Sequence, residues 1–326
     1  MRQAFISSCS DPFLLLLVHK LFRERWYEEV DSFLVNINNH CGVPQDVVSE
    51  LLGRLAQDKK TEIIYHPQGI GNGAPITEMT LISKADTVML MEDDGFCFTP
   101  GVIDQAFQQI ESGFSDVVGS PRFSCGVEVG EAAKEKYNLD YSGYGDVGPN
   151  LWPNMMFIKR KDLLRTDLDF SSHTWQPGEY SKELDHTFKD INHGDTAVWM
   201  CVQLKELGLR FHNIAQYHAD PYEIDNKTKK QMNWINGPPT HIHGGSLSAG
   251  WNGYLSGRIP EATDDSSIQE METRVAFWTI ASACTDGFEE FKKEYQRGIV
   301  QLTHDAKLDT RRIEKKMNIY RDLFRI

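Results

Sequence analysis

Residues 61–100 read TEIIYHPQGIGNGAPITEMTLISKADTVMLMEDDGFCFTP. The apolar run at 61–65 predicts a strand, and the glycine-rich loop HPQGIGNGAP follows it. A helical segment then extends through Ala85, and a second buried strand at 87–91 precedes three consecutive acids. This order of strand, loop, helix and strand is typical of a parallel sheet with helices on its faces, where ligands bind beyond the carboxyl ends of the strands.

The same alternation extends along the chain in both directions. It predicts further strands at 3–8, 32–36, 116–119, 154–159 and 210–215, and helices at 12–27, 47–57, 101–113 and 196–207. Residues 125–153, rich in Gly, Tyr and Asp, are expected to form a long loop or insertion. The predicted fold is α/β, with a mixed and mainly parallel sheet over residues 1–250 and a helical C-terminal extension over 251–326.

Composition places the chain among globular proteins. It has 326 residues, of which 40% are hydrophobic, enough for a large buried core. The 34 basic and 47 acidic residues give a net charge of −13, which argues against coating of duplex DNA. The longest early apolar run, at 13–18, is too short to span a membrane, and the scattered cysteines form no Cys-x-x-Cys pair. We expect a soluble cytoplasmic protein, in the host cytoplasm if the protein is viral.

The acids Glu92, Asp93 and Asp94 form the first candidate site. Adjacent carboxylates at the end of a buried strand repel one another and need a compensating cation. Hard divalent ions take oxygen ligands, so Mg²⁺ or Mn²⁺ bridging to substrate phosphates would satisfy this cluster. A solvated acidic turn is the alternative interpretation.

The segment 69–106 resembles the nucleotide-sugar core of family 2 glycosyltransferases, which have the GT-A fold. In that family a glycine-containing loop and a helix precede a hydrophobic strand that ends in an Asp-x-Asp motif. The resemblance covers residues 1–250. It implies that Glu92 contacts the ribose, that Asp94 binds the metal and that Asp93 adds charge at the nucleotide-sugar site. Glu92 departs from the motif, because the family has Asp there.

Asp195 is the candidate catalytic base. It lies in the segment His193-Gly194-Asp195-Thr196, at the start of a predicted helix, which resembles the family's Gly-Glu-Asp segment. A carboxylate in this position would accept the proton of an acceptor hydroxyl as that hydroxyl attacks the anomeric carbon, giving inversion. Because Asp is also a common helix N-cap, a purely structural role is the alternative.

A His-x-His pair lies in residues 240–246, which read THIHGGS. Alternation in a strand puts both imidazoles on one face, where they suit a metal or a phosphate partner. In the resembled family a C-terminal histidine followed by small residues completes the metal site or touches the diphosphate. His241 and His243 are therefore both candidate metal ligands beside Asp94.

Polar residues after the first two predicted strands and in the glycine-rich loop are candidates for binding the nucleotide sugar. By the positions that the resemblance implies, they are Ser7, Ser8, Ser10, Asn36, Asn39, Gly71 and Asn72. The family often has an acid after the second strand, where this chain has asparagines. For the glycine-rich loop, a simple turn is an equal alternative.

Aromatic residues near the strand predicted at 154–159 mark a candidate acceptor site. They are Tyr144, Trp152 and Trp175. Aromatic faces stack on sugars, and glycosyltransferases of this fold present acceptor-binding groups in such segments. Ordinary packing of a long loop is the alternative interpretation.

The predicted function is metal-dependent transfer of a sugar from a nucleoside-diphosphate sugar, with a UDP-sugar as the expected donor and Mn²⁺ or Mg²⁺ as cofactor. Candidate acceptors are a glycan, a lipid-linked sugar or a protein. A hydroxymethylated DNA base, as in a viral DNA glycosyltransferase, is a further candidate, because residues 310–326 hold six basic and two acidic residues. A non-catalytic nucleotide-sugar binder and a zinc hydrolase are the alternatives from other classes.

Overall fold

The computed structural model describes residues 1–8, 11–39, 42–71, 73–93, 95–97, 101–119, 126–138, 155–194, 196–213, 217–218, 240–241 and 265–324. The strands are β1 (Arg2–Ser8), β2 (Ser32–Asn38), β3 (Thr61–His66), β4 (Thr87–Glu92), β5 (Gly95–Phe96), β6 (Val117–Gly119), β7 (Met156–Lys159), β8 (His173–Trp175), β9 (Tyr180–Ser181), β10 (His186–Thr187), β11 (Asn192–Gly194), β12 (Phe211–Asn213), β13 (Tyr217–His218) and β14 (Thr240–His241). The helices are α1 (Pro12–Arg25), α2 (Gln45–Leu55), α3 (Ala74–Ile82), α4 (Val102–Glu111), α5 (Val127–Tyr137), α6 (Arg160–Leu163), α7 (Val198–Glu206), α8 (Asp265–Ala283), α9 (Glu289–Asp305) and α10 (Thr310–Phe324).

A mixed sheet of seven strands lies at the centre of the described part of the chain. Its strand order is β12-β6-β7-β4-β1-β2-β3. β1 pairs in parallel with β2 and β4, and β2 pairs in parallel with β3, whereas β7 is antiparallel to both β4 and β6. The predicted architecture, a mainly parallel sheet with flanking helices and a helical C-terminal part, is confirmed.

Helices cover both faces of this sheet, so its inner strands are apolar on both sides. Successive residues of a strand point to opposite faces, and β1 accordingly sends Phe5 to one core and Ile6 to the other. The core that contains Phe5 is closed by α3 and α7. The core that contains Ile6 is closed by α1, α2, α4 and the C-terminal helices.

The C-terminal helices share a core with α1. The Phe13 ring of α1 is fully buried and lies 4.8 Å from the Tyr295 ring and 5.8 Å from the Phe291 ring, both of α9. α8 contacts α1, α9 and α10 in turn. The sheet and the C-terminal helices therefore stabilise each other. The predicted boundary at residue 250 stays a prediction, because residues 242–264 lie outside the described part.

The prediction of a long loop over residues 125–153 is wrong for its first part, where α5 forms. The sequence of α5, VEVGEAAKEKY, is rich in Ala, Glu and Lys, which favour helix. Val129, Ala132 and Ala133 have the i, i+3, i+4 spacing of an apolar helix face, and all three are buried. Gly and Tyr residues around this segment are typical of loops, so its helical spacing of apolar residues was not recognised in the sequence. Residues 139–154 lie outside the described part.

Among the helices that the structure describes, none is long and apolar enough to cross a membrane. α8 is the longest of them at 19 residues, and it carries four acidic or basic side chains between Asp265 and Arg274. Its buried residues, such as Trp278, contact the core next to α1.

Phe13→Ala is expected to lower the free energy of unfolding by about 3–5 kcal/mol, because it leaves a cavity between α1 and α9. Urea unfolding followed by circular dichroism measures this change. Val300→Ala is the matched control on α9, since Val300 is 68% exposed, and it should change stability by less than about 0.5 kcal/mol. Equal stability of the two variants would contradict the shared core.

Candidate functional site

The carboxyl ends of β4, β1 and β2 bring three predicted site residues into one row. Ser7 of β1 pairs with Asn36 of β2 on one side and with Glu92 of β4 on the other. Residues in register on neighbouring strands point to the same face of a sheet, and here this is the face that α3 covers. Ser7 and Glu92 are half-buried, and Asn36 is fully buried.

Asn36 contacts a carboxylate that the sequence analysis did not single out. Its Nδ2 donates to Oε2 of Glu78, on α3, over 2.8 Å. His66, the last residue of β3, places Nε2 at 2.6 Å from the same oxygen. No local motif marks Glu78 or His66, because only the packing of α3 against β2 and β3 brings them together.

Asn38 fastens the glycine-rich loop to the end of β2. Its Oδ1 accepts from the backbone N–H of Ile70 at 2.9 Å, and its Nδ2 donates to the carbonyl of Gly71 at 3.2 Å. Gly71 has a φ of 87°, a conformation that glycine adopts without strain. The neighbouring Asn39 instead forms a local turn with Val43, accepting from its N–H at 2.8 Å.

The same loop ends in close contact with a distant segment. A Cβ atom added to Gly73 would lie 2.4 Å from the backbone nitrogen of Ser171, so only glycine fits there. The loop is therefore fixed at both ends, by Asn38 and by this contact. An anchored loop supports the prediction of a binding loop and is also compatible with a purely structural turn.

The first two acids of the triplet, Glu92 and Asp93, point to opposite faces of the sheet. Glu92 is half-buried and shares the row with Ser7, whereas Asp93 is 2% exposed. Oδ2 of Asp93 accepts a hydrogen bond from the Ser8 hydroxyl at 2.7 Å in the interior. Alternation along β4 explains the split, since consecutive side chains leave a strand on opposite sides.

A second buried carboxyl, Asp11, lies on the same side as Asp93. It caps α1 by accepting from the backbone N–H groups of Phe13 and Leu14, and the Tyr295 hydroxyl lies 3.3 Å from its Oδ2. Burial, together with repulsion from Asp93, raises the pKa of Asp11 to about 7. Two carboxyls thus share an interior position between β1, α1 and α9.

The backbone of His241, the first histidine of the His-x-His pair, lies next to β5, the strand that follows the acidic triplet in sequence. β14 pairs antiparallel with β5, with His241 opposite Gly95 and Thr240 opposite Phe96. Gly95 directly follows Asp94 in the chain. This pairing brings His241 and Gly95 together in the backbone across a long sequence separation.

Several predicted site residues lie outside the described part of the chain. They are Ser10, Asn72, Asp94, Tyr144, Trp152, Asp195 and His243. Among the residues that are described, no group of three or more His, Cys, Asp or Glu side chains is arranged to hold a metal ion. The metal site, with two of its three predicted ligands in undescribed positions, stays a prediction.

Trp175 lies in a small aromatic core beside the main sheet. The side chain is 1% exposed, and its ring stacks on Phe188 with 5.2 Å between centroids. His173, two residues earlier, stacks on Trp199 with 5.2 Å between centroids. Trp175 packs inside this core in the structure, and its role in acceptor binding stays a prediction.

Comparison with known proteins identifies similar solved structures. The mannosyltransferase PcManGT from Pyrobaculum calidifontis, in complex with GDP-Man and Mn²⁺, matches 99% of this chain and 85% of its own at 10% identity and a TM-score of 0.47. The galactosyltransferase LgtC, in complex with donor and acceptor sugar analogs, matches 83% of this chain and 100% of its own at 12% identity and a TM-score of 0.43. Residues 1–349 of TarS from S. aureus match 99% of this chain and 92% of their own at 11% identity and a TM-score of 0.44.

No family model matches this chain, and no curated protein sequence matches it. The similarity to the solved structures concerns the fold. Two of the three are named as glycosyltransferases, the class of enzyme that the sequence resembles.

Asp11→Asn is expected to flatten the dependence of stability on pH between about pH 4 and pH 7. The raised pKa means that folded Asp11 keeps a proton that the unfolded chain has lost, so stability falls as the pH rises through this range. Asn does not ionise and still caps α1. Urea unfolding at pH 4.5 and 7.5 should show a decrease that is larger in the wild type by on the order of 2–4 kcal/mol.

The control for this measurement is Asp322→Asn, because Asp322 is an exposed carboxyl of α10. It should keep the pH dependence of the wild type. If Asp11→Asn also kept that dependence, the buried proton would be absent and the arrangement of the two carboxyls would need another explanation.

Proposed function

We propose that this chain is a metal-dependent glycosyltransferase, which moves a sugar from a nucleoside-diphosphate sugar to an acceptor hydroxyl with inversion. The observation that carries the proposal is the backbone pairing of His241 with Gly95, because Gly95 directly follows the acidic triplet in the sequence. Polar residues at the carboxyl ends of parallel strands form the usual ligand site of such sheets. The row of Glu92, Ser7 and Asn36 occupies that edge.

The donor set of the predicted metal site fits Mn²⁺ better than Mg²⁺, which takes oxygen ligands. Asp94 would supply a carboxylate, and His241 or His243 an imidazole, which are ligands that Mn²⁺ accepts. When bound, the ion would act as a Lewis acid that neutralises the leaving diphosphate. The chain's own part is to hold the diphosphate at this edge of the sheet while Glu92 orients the ribose.

Asp195 would accept the proton of the acceptor hydroxyl. It follows β11, which pairs with β8, so that Asn192 lies opposite Trp175 and Gly194 opposite His173. The predicted base and Trp175, one of the predicted acceptor aromatics, therefore belong to neighbouring segments. This arrangement supports an acceptor site on the side of the small aromatic core.

A glycan, a lipid-linked sugar and a protein are the proposed acceptor classes. The described contacts give no support to a DNA base as acceptor. Lys316, one of the basic residues of α10, is 1% exposed and donates to the carbonyl of Gln269 and the hydroxyl of Thr273. The Lys316 ammonium group therefore holds α10 against α8 by hydrogen bonds.

Asp94→Asn and Asp195→Asn test the mechanism. Each should lower the rate of nucleoside diphosphate release from the donor sugar by about 10²-fold or more, because one loses a metal ligand and the other the base. Asp195→Asn should still be stabilised thermally by the donor with Mn²⁺, whereas Asp94→Asn should lose the Mn²⁺ dependence of that stabilisation.

The control is again Asp322→Asn, which should release diphosphate at the rate of the wild type. Wild-type rates in both site variants would rule out this mechanism. Thermal stabilisation by the donor without diphosphate release, whatever acceptor is added, would instead identify a non-catalytic binder.

A further inference from the structure

We propose that Glu78 selects the base of the nucleotide, and that it favours a base whose ring carries an N–H group, uracil or guanine, over cytosine and adenine. The inference rests on the proposed function, since it specifies the donor nucleotide of that same site. It starts from the contacts of Glu78, which lies on α3 and faces the ends of β2 and β3.

Both hydrogen bonds to Glu78 reach one of its two oxygens. Nδ2 of Asn36 and Nε2 of His66 lie 2.8 Å and 2.6 Å from Oε2. An ionised carboxylate only accepts hydrogen bonds, so both nitrogens must be donors here. This also fixes the orientation of the Asn36 amide, with Nδ2 toward Glu78.

The other oxygen of Glu78 is open to a ligand. Among the described residues none hydrogen-bonds to Oε1, and 36% of the side chain is exposed. The carboxylate is thus held by Oε2 and presents Oε1 at the edge of the sheet. A side chain held in this way binds a ligand with little further loss of rotamer freedom.

A second acceptor lies beside it. Oδ1 of Asn36 is buried and has no hydrogen-bond partner within the described part of the chain. Leaving such an acceptor unpaired is unfavourable, and the donors next to it already bind Glu78. The position therefore offers acceptors only, and it favours a ligand that brings donors.

The spacing of the parallel strands gives the distance from Asn36 to Glu92, the residue predicted to contact the ribose. Neighbouring strands lie about 4.8 Å apart, so Asn36 is roughly 10 Å from Glu92 across Ser7. This spacing is comparable to the length of a nucleoside. A nucleotide whose ribose contacts Glu92 would therefore extend its base along the row toward Asn36 and Glu78.

The chemistry of the bases then determines the choice. Uracil has a ring N–H between two carbonyls, and guanine has a ring N–H beside an amino group, so both can donate to a carboxylate. Cytosine and adenine carry an amino donor, but the ring nitrogen beside it has a lone pair, which a carboxylate repels. A site built to pair with a ring N–H discriminates strongly against a base that lacks it.

Isothermal titration calorimetry with UDP, GDP, CDP and ADP in the presence of Mn²⁺ tests the proposal. The wild type should bind UDP or GDP at least about 10-fold more tightly than CDP and ADP, as expected for a hydrogen bond to a charged acceptor. Glu78→Gln should reduce this preference to about threefold or less, because the amide presents a donor as well as an acceptor.

Glu62→Gln is the matched control, since Glu62 is exposed and lies at the opposite end of β3 from His66. It should keep the preference of the wild type. Glu78→Asp provides a second variant that keeps the charge but shortens the reach, and it should weaken binding of UDP or GDP while leaving CDP and ADP unchanged. Urea unfolding of each variant confirms that it is folded.

The outcomes separate this proposal from the one on which it rests. Equal binding of all four nucleotides by the wild type, or an unchanged preference in both Glu78 variants, overturns the role of Glu78 and leaves the glycosyltransferase proposal standing. If the wild type binds none of the four with Mn²⁺, the donor site itself is refuted, and the base preference with it.

Discussion

The parallel pairing of β1 with β2 and β4 is the constraint on which the rest of the structure depends. It aligns three strand ends, so that Glu92, Ser7 and Asn36 lie in one row although they are far apart in sequence. A shift of this register by one residue would turn each of these side chains to the other face of the sheet. Burial of the apolar residues on both faces prevents such a shift, since it would also move Phe5 and Ile6 between two cores of different shape. The pairing of β1 with β2 and β4 thus determines both the fold and the position of the candidate site.

The two faces of the sheet give the adjacent acids different surroundings. On the face of α3, Glu92 is half-buried near the polar ends of β1 and β2. On the face of α1, Asp93 is buried and accepts a hydrogen bond from the Ser8 hydroxyl. Asp11 lies close to it and contacts the hydroxyl of Tyr295, a residue of α9. A C-terminal helix thus contacts one of two interior carboxyls on the face of the sheet opposite Glu92.

Much of the fold could be predicted from the sequence, because the strands of the sheet are continuous apolar runs between turns. The predicted strands at 3–8, 32–36, 61–65 and 87–91 agree with β1 to β4 to within two residues at each end. α5 was missed, since its apolar face rests on small alanines within a segment whose Gly and Tyr content is typical of loops. Of the candidate site, Ser7, Asn36 and Glu92 were singled out from the sequence by their place near strand ends, and the structure puts them in one row. Glu78, His66 and Asp11 were not, because their contacts are tertiary and no local spacing encodes them.

The contact of Phe13 with α9 has a consequence for synthesis of the protein in the cell. α1 is synthesised long before α9, yet the rings that contact Phe13 of α1 belong to Phe288, Phe291 and Tyr295. The apolar surface of α1 that faces these rings must therefore stay uncovered until α9 has been synthesised. Contacts of such long sequence separation form slowly, and the surface exposed meanwhile is a target for chaperones and a site for association between nascent chains. A nascent chain that stops before α9 lacks this cover, even though every strand of the sheet has already been made.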